Sequence, residues 1–278
     1  MESKKVSLIS PVWNSKEYIK EFLDSIKRQT YRPLQFIFVN DGSSDGSEQV
    51  FFDEEEGLKG AGIETIYLSC PHLGQAAAMN AGLKVFDGEY LTWADSDDIL
   101  DERNIEAKVN YLENHPEIAM VRNDARHLEN GLLTEGIALK EDRITQKIFE
   151  NLILCKTYVY AGCYMVKSEF FEKCYPKRCI PLSSEGQNLQ MLLPISSRTE
   201  CGFVNEVLMT YRIYEGSHSH TKRSMTDYLK RIDNFSKLLE ELMPYCECDE
   251  DDYRKKIEEY RNISRKLVFD SVIQRFRQ

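Results

Sequence analysis

No window of the 278 residues approaches about 18 uncharged apolar positions, so the sequence writes no membrane-spanning helix. The first residues, MESKKVSLISPVW, hold two lysines but no apolar core of about 7–15 residues, and a secretory leader is not expected. Neither G-x-G-x-x-G nor G-x-x-x-x-G-K-[ST] occurs, which disfavours a dinucleotide fold of the usual kind and removes the P-loop. The eight cysteines (70, 155, 163, 174, 179, 201, 246, 248) form no C-x-x-C knuckle and have no companion histidine spacing, so a zinc site is not expected. The closest pair, Cys246-Glu-Cys248, reads as two reduced thiols, and reduced cysteines without a leader point to the cytosol. A basic excess is also missing. There are 36 Lys+Arg against 46 Asp+Glu, a net −10, which argues against a nucleic-acid partner. It also means that an anionic ligand would be held locally, by a metal ion or backbone amides.

What is present is a folding sequence. Hydrophobic residues make up 42% and aromatics 11%, which excludes global disorder. Over the first 120 or so residues, compact apolar runs alternate with amphipathic stretches. Val6–Ser10, Leu34–Val39, Ile63–Leu68, Tyr90–Ala94 and Ile118–Val121 read as buried strands. Between them, the stretch opened by Asn14-Ser-Lys-Glu17 (a capping-box spacing), Gly74–Val85 and Asp101–Asn114 read as helices. That alternation predicts an α/β fold with a mostly parallel sheet and helices on both faces. Further on, Thr145–Leu154 and Ser168–Lys173 read as helical, and Tyr158–Val166 and Val207–Ile213 as strands. Gly186–Leu193 reads as a helix stopped by Pro194, and two long amphipathic helices are expected over 224–243 and 250–276.

In an open parallel sheet, ligands sit outside the carboxyl ends of the strands. Three polar clusters fall there: Pro11-Val-Trp-Asn14, Asn40-Asp-Gly-Ser-Ser-Asp45 and Asp95-Ser-Asp-Asp98. The third follows directly on the buried run YLTWA. Carboxylates so close repel one another, and a divalent cation with hard oxygen ligands, Mg²⁺ or Mn²⁺, would neutralise them. Capping of the next helix accounts for one aspartate, not three. The second cluster is also ordinary turn chemistry, with Asp45 or Ser47 available as a helix cap.

The ordered segments VSLISPVWNSKEYIKEFLDSIKRQT, LQFIFVNDGSSDGS, GQAAAMNAGL and GEYLTWADSDDIL, spanning about residues 5–122, resemble family 2 of the inverting, metal-dependent nucleotide-sugar glycosyltransferases, which have the GT-A fold. The resemblance implies a donor half over 1–122, an acceptor-side half over 123–222 and a C-terminal helical extension over 223–278. It implies that Pro11, Val12 and Trp13 line the nucleotide base and that Asp41 reads uracil. Asp95 would lie by the ribose with Ser96 beside it, and Asp97 would ligate the metal that bridges the diphosphate, Asp95 adjoining. Asn80 matches an asparagine beside the donor. Gln75 stands where many members have lysine, and Met79 where many have arginine, so one cationic contact to the donor is in doubt. The chemistry implied is direct displacement at the anomeric carbon, with a carboxylate as base.

The base itself departs from the family's pattern. Many members carry Glu-Asp at the start of the helix facing the acceptor, where this chain has Gln187-Asn188. An amide cannot accept the proton, and Glu185 is the nearest carboxylate. In YRIYEGSHSHTKR, His218 or His220 would complete the metal shell, with Lys222 and Arg223 reaching the diphosphate; a polar loop without a role is the bland alternative. From Arg261 to Gln278 there are five Arg/Lys (261, 265, 266, 275, 277) against one acid (270), 5 − 1 = +4. Such an end would touch an anionic membrane at its inner face, or simply pack on its own domain or a second subunit. The expected activity is transfer from a UDP-hexose to a saccharide or lipid-linked acceptor in surface polysaccharide synthesis. A nucleotide-sugar-binding protein without transfer, or a metal-dependent phosphohydrolase using Asp95, are the alternatives.

Overall fold

A computed structural model of the chain describes residues 3–214 and 224–276. Its strands are β1 (Val6–Val12), β2 (Leu34–Asp41), β3 (Ile63–Cys70), β4 (Tyr90–Trp93), β5 (Ile99–Leu100), β6 (Met120–Glu129), β7 (Leu132–Leu133), β8 (Tyr164–Lys167) and β9 (Cys201–Ile213). Its α-helices are α1 (Ile19–Lys27), α2 (Ser47–Gly60), α3 (Gln75–Leu83), α4 (Asn104–Asn114), α5 (Lys140–Ile144), α6 (Phe149–Ile153), α7 (Ser168–Cys174), α8 (Gln187–Ser196), α9 (Met225–Leu242) and α10 (Glu250–Phe276).

The apolar runs become strands because both of their faces are covered. Every residue of β2 is buried, and every residue of β1 except Pro11. The amphipathic stripe of α1 buries Ile19, Phe22, Leu23 and Ile26 against them. One sheet runs in the order β3-β2-β1-β4-β8-β6-β9-β5, with β7 folded back on β6. The pairs β1/β2, β1/β4, β2/β3 and β6/β9 are parallel, whereas β8 is antiparallel to both β4 and β6. Because β1, β2 and β4 run the same way, their polar ends meet at one edge. That places the three clusters together.

Several elements differ from expectation. Pro194 does not stop α8 but lies inside it, and the helix continues to Ser196. The missing proline N–H would orphan the Gln190 carbonyl; instead the Tyr175 hydroxyl donates to that carbonyl at 2.8 Å. Asn14 does not cap α1, whose N-cap is Tyr18 without a side-chain bond. Its carboxamide oxygen accepts from the Ser44 N–H at 2.9 Å, which ties the loop after β1 to the loop after β2. Strand β9 begins at Cys201, ahead of the expected Val207, because pairing with β6 from Met120↔Cys201 onward extends it. The expected strand from Tyr158 is confined to Tyr164–Lys167, and the expected helix from Thr145 to Phe149–Ile153.

The C-terminal pair packs through an apolar seam. Leu238, Leu239 and Leu242 of α9 and Tyr253 and Ile257 of α10 are buried, and the Tyr253 hydroxyl donates to the Leu239 carbonyl at 2.8 Å. Arg261 and Arg265 of the basic stretch pair with Glu240 (2.9 Å) and Asp233 (2.8 Å) of α9. No helix among the described residues is long and apolar enough to cross a membrane.

Candidate active site

The loops leaving β1 and β2 are bonded to each other. Asn14 N–H donates to Ser43 Oγ (3.1 Å), Ser15 N–H to Ser47 Oγ (2.8 Å) and Lys16 N–H to Asp45 Oδ2 (2.8 Å). Asp45 and Ser47 thus serve loop structure, the ordinary turn role. Of Pro11, Val12 and Trp13, only Trp13 presents an exposed side chain, at 52% of its surface; Val12 is in the core.

Asp41 is 2% exposed and its carboxylate is well supplied with donors. Oδ1 accepts from Leu73 N–H at 3.0 Å, and Oδ2 from Gly74 N–H at 3.2 Å. His72 Nδ1 lies 2.8 Å from Oδ2 and 3.1 Å from the Asp41 carbonyl oxygen. Both neighbours are acceptors, which assigns the proton to Nδ1. The His72 ring stacks on Trp13, with centroids 4.5 Å apart and planes 10° off parallel. Gly42 permits this close approach: its φ is +69°, and a Cβ there would meet the His72 amide nitrogen at 2.8 Å.

The aspartates after β4 adjoin this aromatic pair. Asp95 Oδ1 accepts from Gln75 Nε2 at 2.8 Å, so the glutamine at the lysine position caps the acid with a neutral donor. Burial pushes the Asp95 carboxyl up to about 7, the Asp97 charge adding to it and the Gln75 bond opposing. Burial also raises Asp97, against the bond its Oδ2 accepts from the Tyr214 hydroxyl at 3.0 Å. Asp98 is raised well above the usual carboxylate range by burial and then by Asp97 and Asp95; its Oδ1 accepts from Arg212 N–H at 3.2 Å and its buried Oδ2 has no partner among the described residues. Ser96 is buried, and its Oγ lies 2.6 Å from Ser15 Oγ, linking this loop to the one after β1.

Among the described residues, Arg212 is a cation at this loop. Its Nε donates to the Asp97 carbonyl at 3.1 Å, its guanidinium pairs with Glu21 of α1, and it lies 4.9 Å from the Tyr18 ring centroid. His72, Arg212 and Tyr214 are the residues the sequence does not single out. Arg212 and Tyr214 sit in the noted YRIYEGSHSHTKR segment, but its histidines draw the eye. His218, His220, Lys222 and Arg223 lie outside the described residues.

Two expected residues face other groups. Both ends of the Asn80 amide are committed to the Ile180 backbone, Nδ2 donating to its carbonyl at 2.9 Å and Oδ1 accepting its N–H at 2.8 Å. The Glu185 carboxylate pairs with Arg231 of α9 at 3.1 Å and is 13% exposed. Asn188 does reach the sheet, its Oδ1 accepting from Trp93 Nε1 at 2.9 Å two residues before Asp95.

A sequence profile described as Glycosyl transferase family 2 matches residues 7–174. Glycosyltransferase GlyA of Streptococcus pneumoniae serotype 4 is 26% identical over 227 residues, 77% of this chain and 31% of the relative. An uncharacterized glycosyltransferase of Rickettsia prowazekii is 36% identical over 107 residues, 38% of this chain and 31% of the relative. The chain therefore spans about a third of the length of these two proteins. Among solved structures, Staphylococcus aureus TarS 1–349 in complex with UDP-GlcNAc superposes with a TM-score of 0.66 at 17% identity, covering 92% of this chain and 71% of that one. The mannosyltransferase PcManGT from Pyrobaculum calidifontis, in complex with GDP-Man and Mn²⁺, superposes at 0.65 and 15% identity, covering 98% and 75%. These likenesses identify the curled, mostly parallel sheet as the GT-A fold. The profile covers well over half of the chain and the acidic site lies where its strands end, so the chain belongs to glycosyl transferase family 2.

Proposed function

We propose that the protein transfers a sugar, with inversion, from a UDP-hexose to a hydroxyl of a saccharide or lipid-linked acceptor in surface polysaccharide synthesis. The observation that carries this is the juxtaposition of exposed Trp13 and buried Asp41 with the acidic run Asp95, Asp97 and Asp98 at one sheet edge. A planar base and a charged diphosphate need those two environments side by side. The UDP-GlcNAc held by TarS and the GDP-Man and Mn²⁺ held by PcManGT support a nucleotide-sugar donor and a divalent cation. Residues 1–122 are assigned the donor, 123–222 the acceptor, and 223–278 a helical extension.

The acidic run fits Mg²⁺ or Mn²⁺. Hard oxygens crowd together, burial and mutual repulsion hold them toward the protonated form, and Asp98 Oδ2 is buried without a partner among the described residues. Asp97 and Asp95 would hold the ion. Among the described residues no three His, Cys, Asp or Glu are grouped to hold one unaided, so donor phosphate oxygens would complete the shell. When bound, the ion supplies charge stabilisation for the departing diphosphate.

Glu185 is assigned as the base that takes the acceptor proton. Its ion pair with Arg231 must loosen for it to reach a hydroxyl. Replacing it by glutamine should abolish transfer and leave cation-dependent nucleotide binding intact, as read by product formation and calorimetry; undiminished transfer overturns the assignment. A binder without transfer activity is the second reading, favoured by the Gln187-Asn188 pair where a carboxylate is usual. It would show donor binding but no nucleotide release. The paired Arg261 and Arg265 favour packing of α10 on α9 over contact with a membrane.

A further inference from the structure

We infer that His72 is a built-in stand-in for the donor's base, occupying the place on Trp13 and Asp41 that an entering base must take. The inference rests on the reading of Trp13 and Asp41 as the base site. The imidazole does both things a base would do there. It is a flat ring lying on Trp13, 4.5 Å between centroids and 10° from parallel, and it donates a ring N–H to Asp41 Oδ2 at 2.8 Å. Two rings stacked at that distance leave no space for a third between them, and the 2%-exposed carboxylate is covered from the His72 side. An entering base therefore cannot use Trp13 and Asp41 while His72 keeps them.

The exchange is cheap to make. The His72 side chain is 49% exposed, so it can turn into solvent about its own torsions. The backbone need not follow, because Leu73 N–H and Gly74 N–H remain bonded to Asp41. What the base must bring is the hydrogen bond that His72 surrenders, since a buried carboxylate left short of a donor is costly. Uracil and guanine offer a ring N–H for this. Adenine and cytosine present an unprotonated ring nitrogen, whose lone pair would face the carboxylate. His72 thus sets the affinity for the donor, and the Asp41 carboxylate behind it sets the demand for an N–H base.

Calorimetric titration of the full chain with UDP, GDP, ADP and CDP, all with Mn²⁺, tests this. If His72 competes with the base, His72→Ala tightens UDP roughly 10- to 150-fold, the worth of one hydrogen bond to a charged group. His72→Asn, which keeps an N–H donor without the ring, should gain less, and ADP and CDP should stay weak throughout. A His72→Ala variant that keeps its melting temperature yet binds UDP more weakly or equally overturns the inference, since His72 would then be a supporting ring or a bystander. If neither wild type nor variant binds any of the four, the base-site reading itself falls. Binding by the variant alone supports the inference outright.

Discussion

Lys108 carries an ammonium group into the interior, where it is fully buried and donates to the Gly162 carbonyl at 2.7 Å. Burial pushes its pKa down from 10.5 to about 7. The folded-state value lies below the unfolded one, so between pH 7 and 10.5 the unfolded chain binds the extra proton and stability rises with pH. Lys108→Met removes this dependence. The stability of wild type relative to Lys108→Met should therefore improve by about 2 kcal/mol from pH 7 to pH 9, measured by urea unfolding. A difference that does not change with pH would mean that Lys108 stays charged when folded. Asp95 and Asp97 are legible at this scale, because charges abutting a buried run advertise themselves. His72 is not, since its partners Trp13 and Asp41 are brought to it only by the fold.

At the scale of elements, α8 makes a sharper prediction. The Tyr175 hydroxyl replaces the N–H that Pro194 lacks, and both Tyr175 and Gln190 are buried. Tyr175→Phe strands the Gln190 carbonyl and should cost about 1–3 kcal/mol. In a Pro194→Ala background the restored N–H takes that carbonyl, so the same change should cost less. A double-mutant cycle with no coupling would show that the hydroxyl does not serve the proline break. The sequence stops the helix at Pro194 because nothing local announces a donor from Tyr175, the residue that follows α7. Strands β1, β2 and β4 are legible for the opposite reason: burial on both faces writes each as one apolar run. The first half of β9, CGFVNE, carries a glycine and an asparagine and becomes strand only through pairing with β6.

Across the whole molecule, the net charge of −10 is offset where it matters by position. The Arg212 guanidinium is bonded to Glu21 and the Asp97 carbonyl and its backbone N–H to Asp98, so one residue ties α1 and β9 to the acidic loop. Parallel strands β1, β3 and β4 deliver an aromatic stack and an acidic run to one edge, the arrangement from which nucleotide-sugar transfer is proposed. The most direct test is nucleotide release by the full chain from a panel of UDP-sugars, with and without Mn²⁺, beside Asp97→Asn. Transfer from a UDP-sugar through a cation on Asp97 predicts release that depends on Mn²⁺. It also predicts a fall of at least roughly 10- to 100-fold in the variant, the loss usual when even a supporting group of a metal site is removed. No release from any UDP-sugar, or release that Asp97→Asn leaves unchanged, would contradict it.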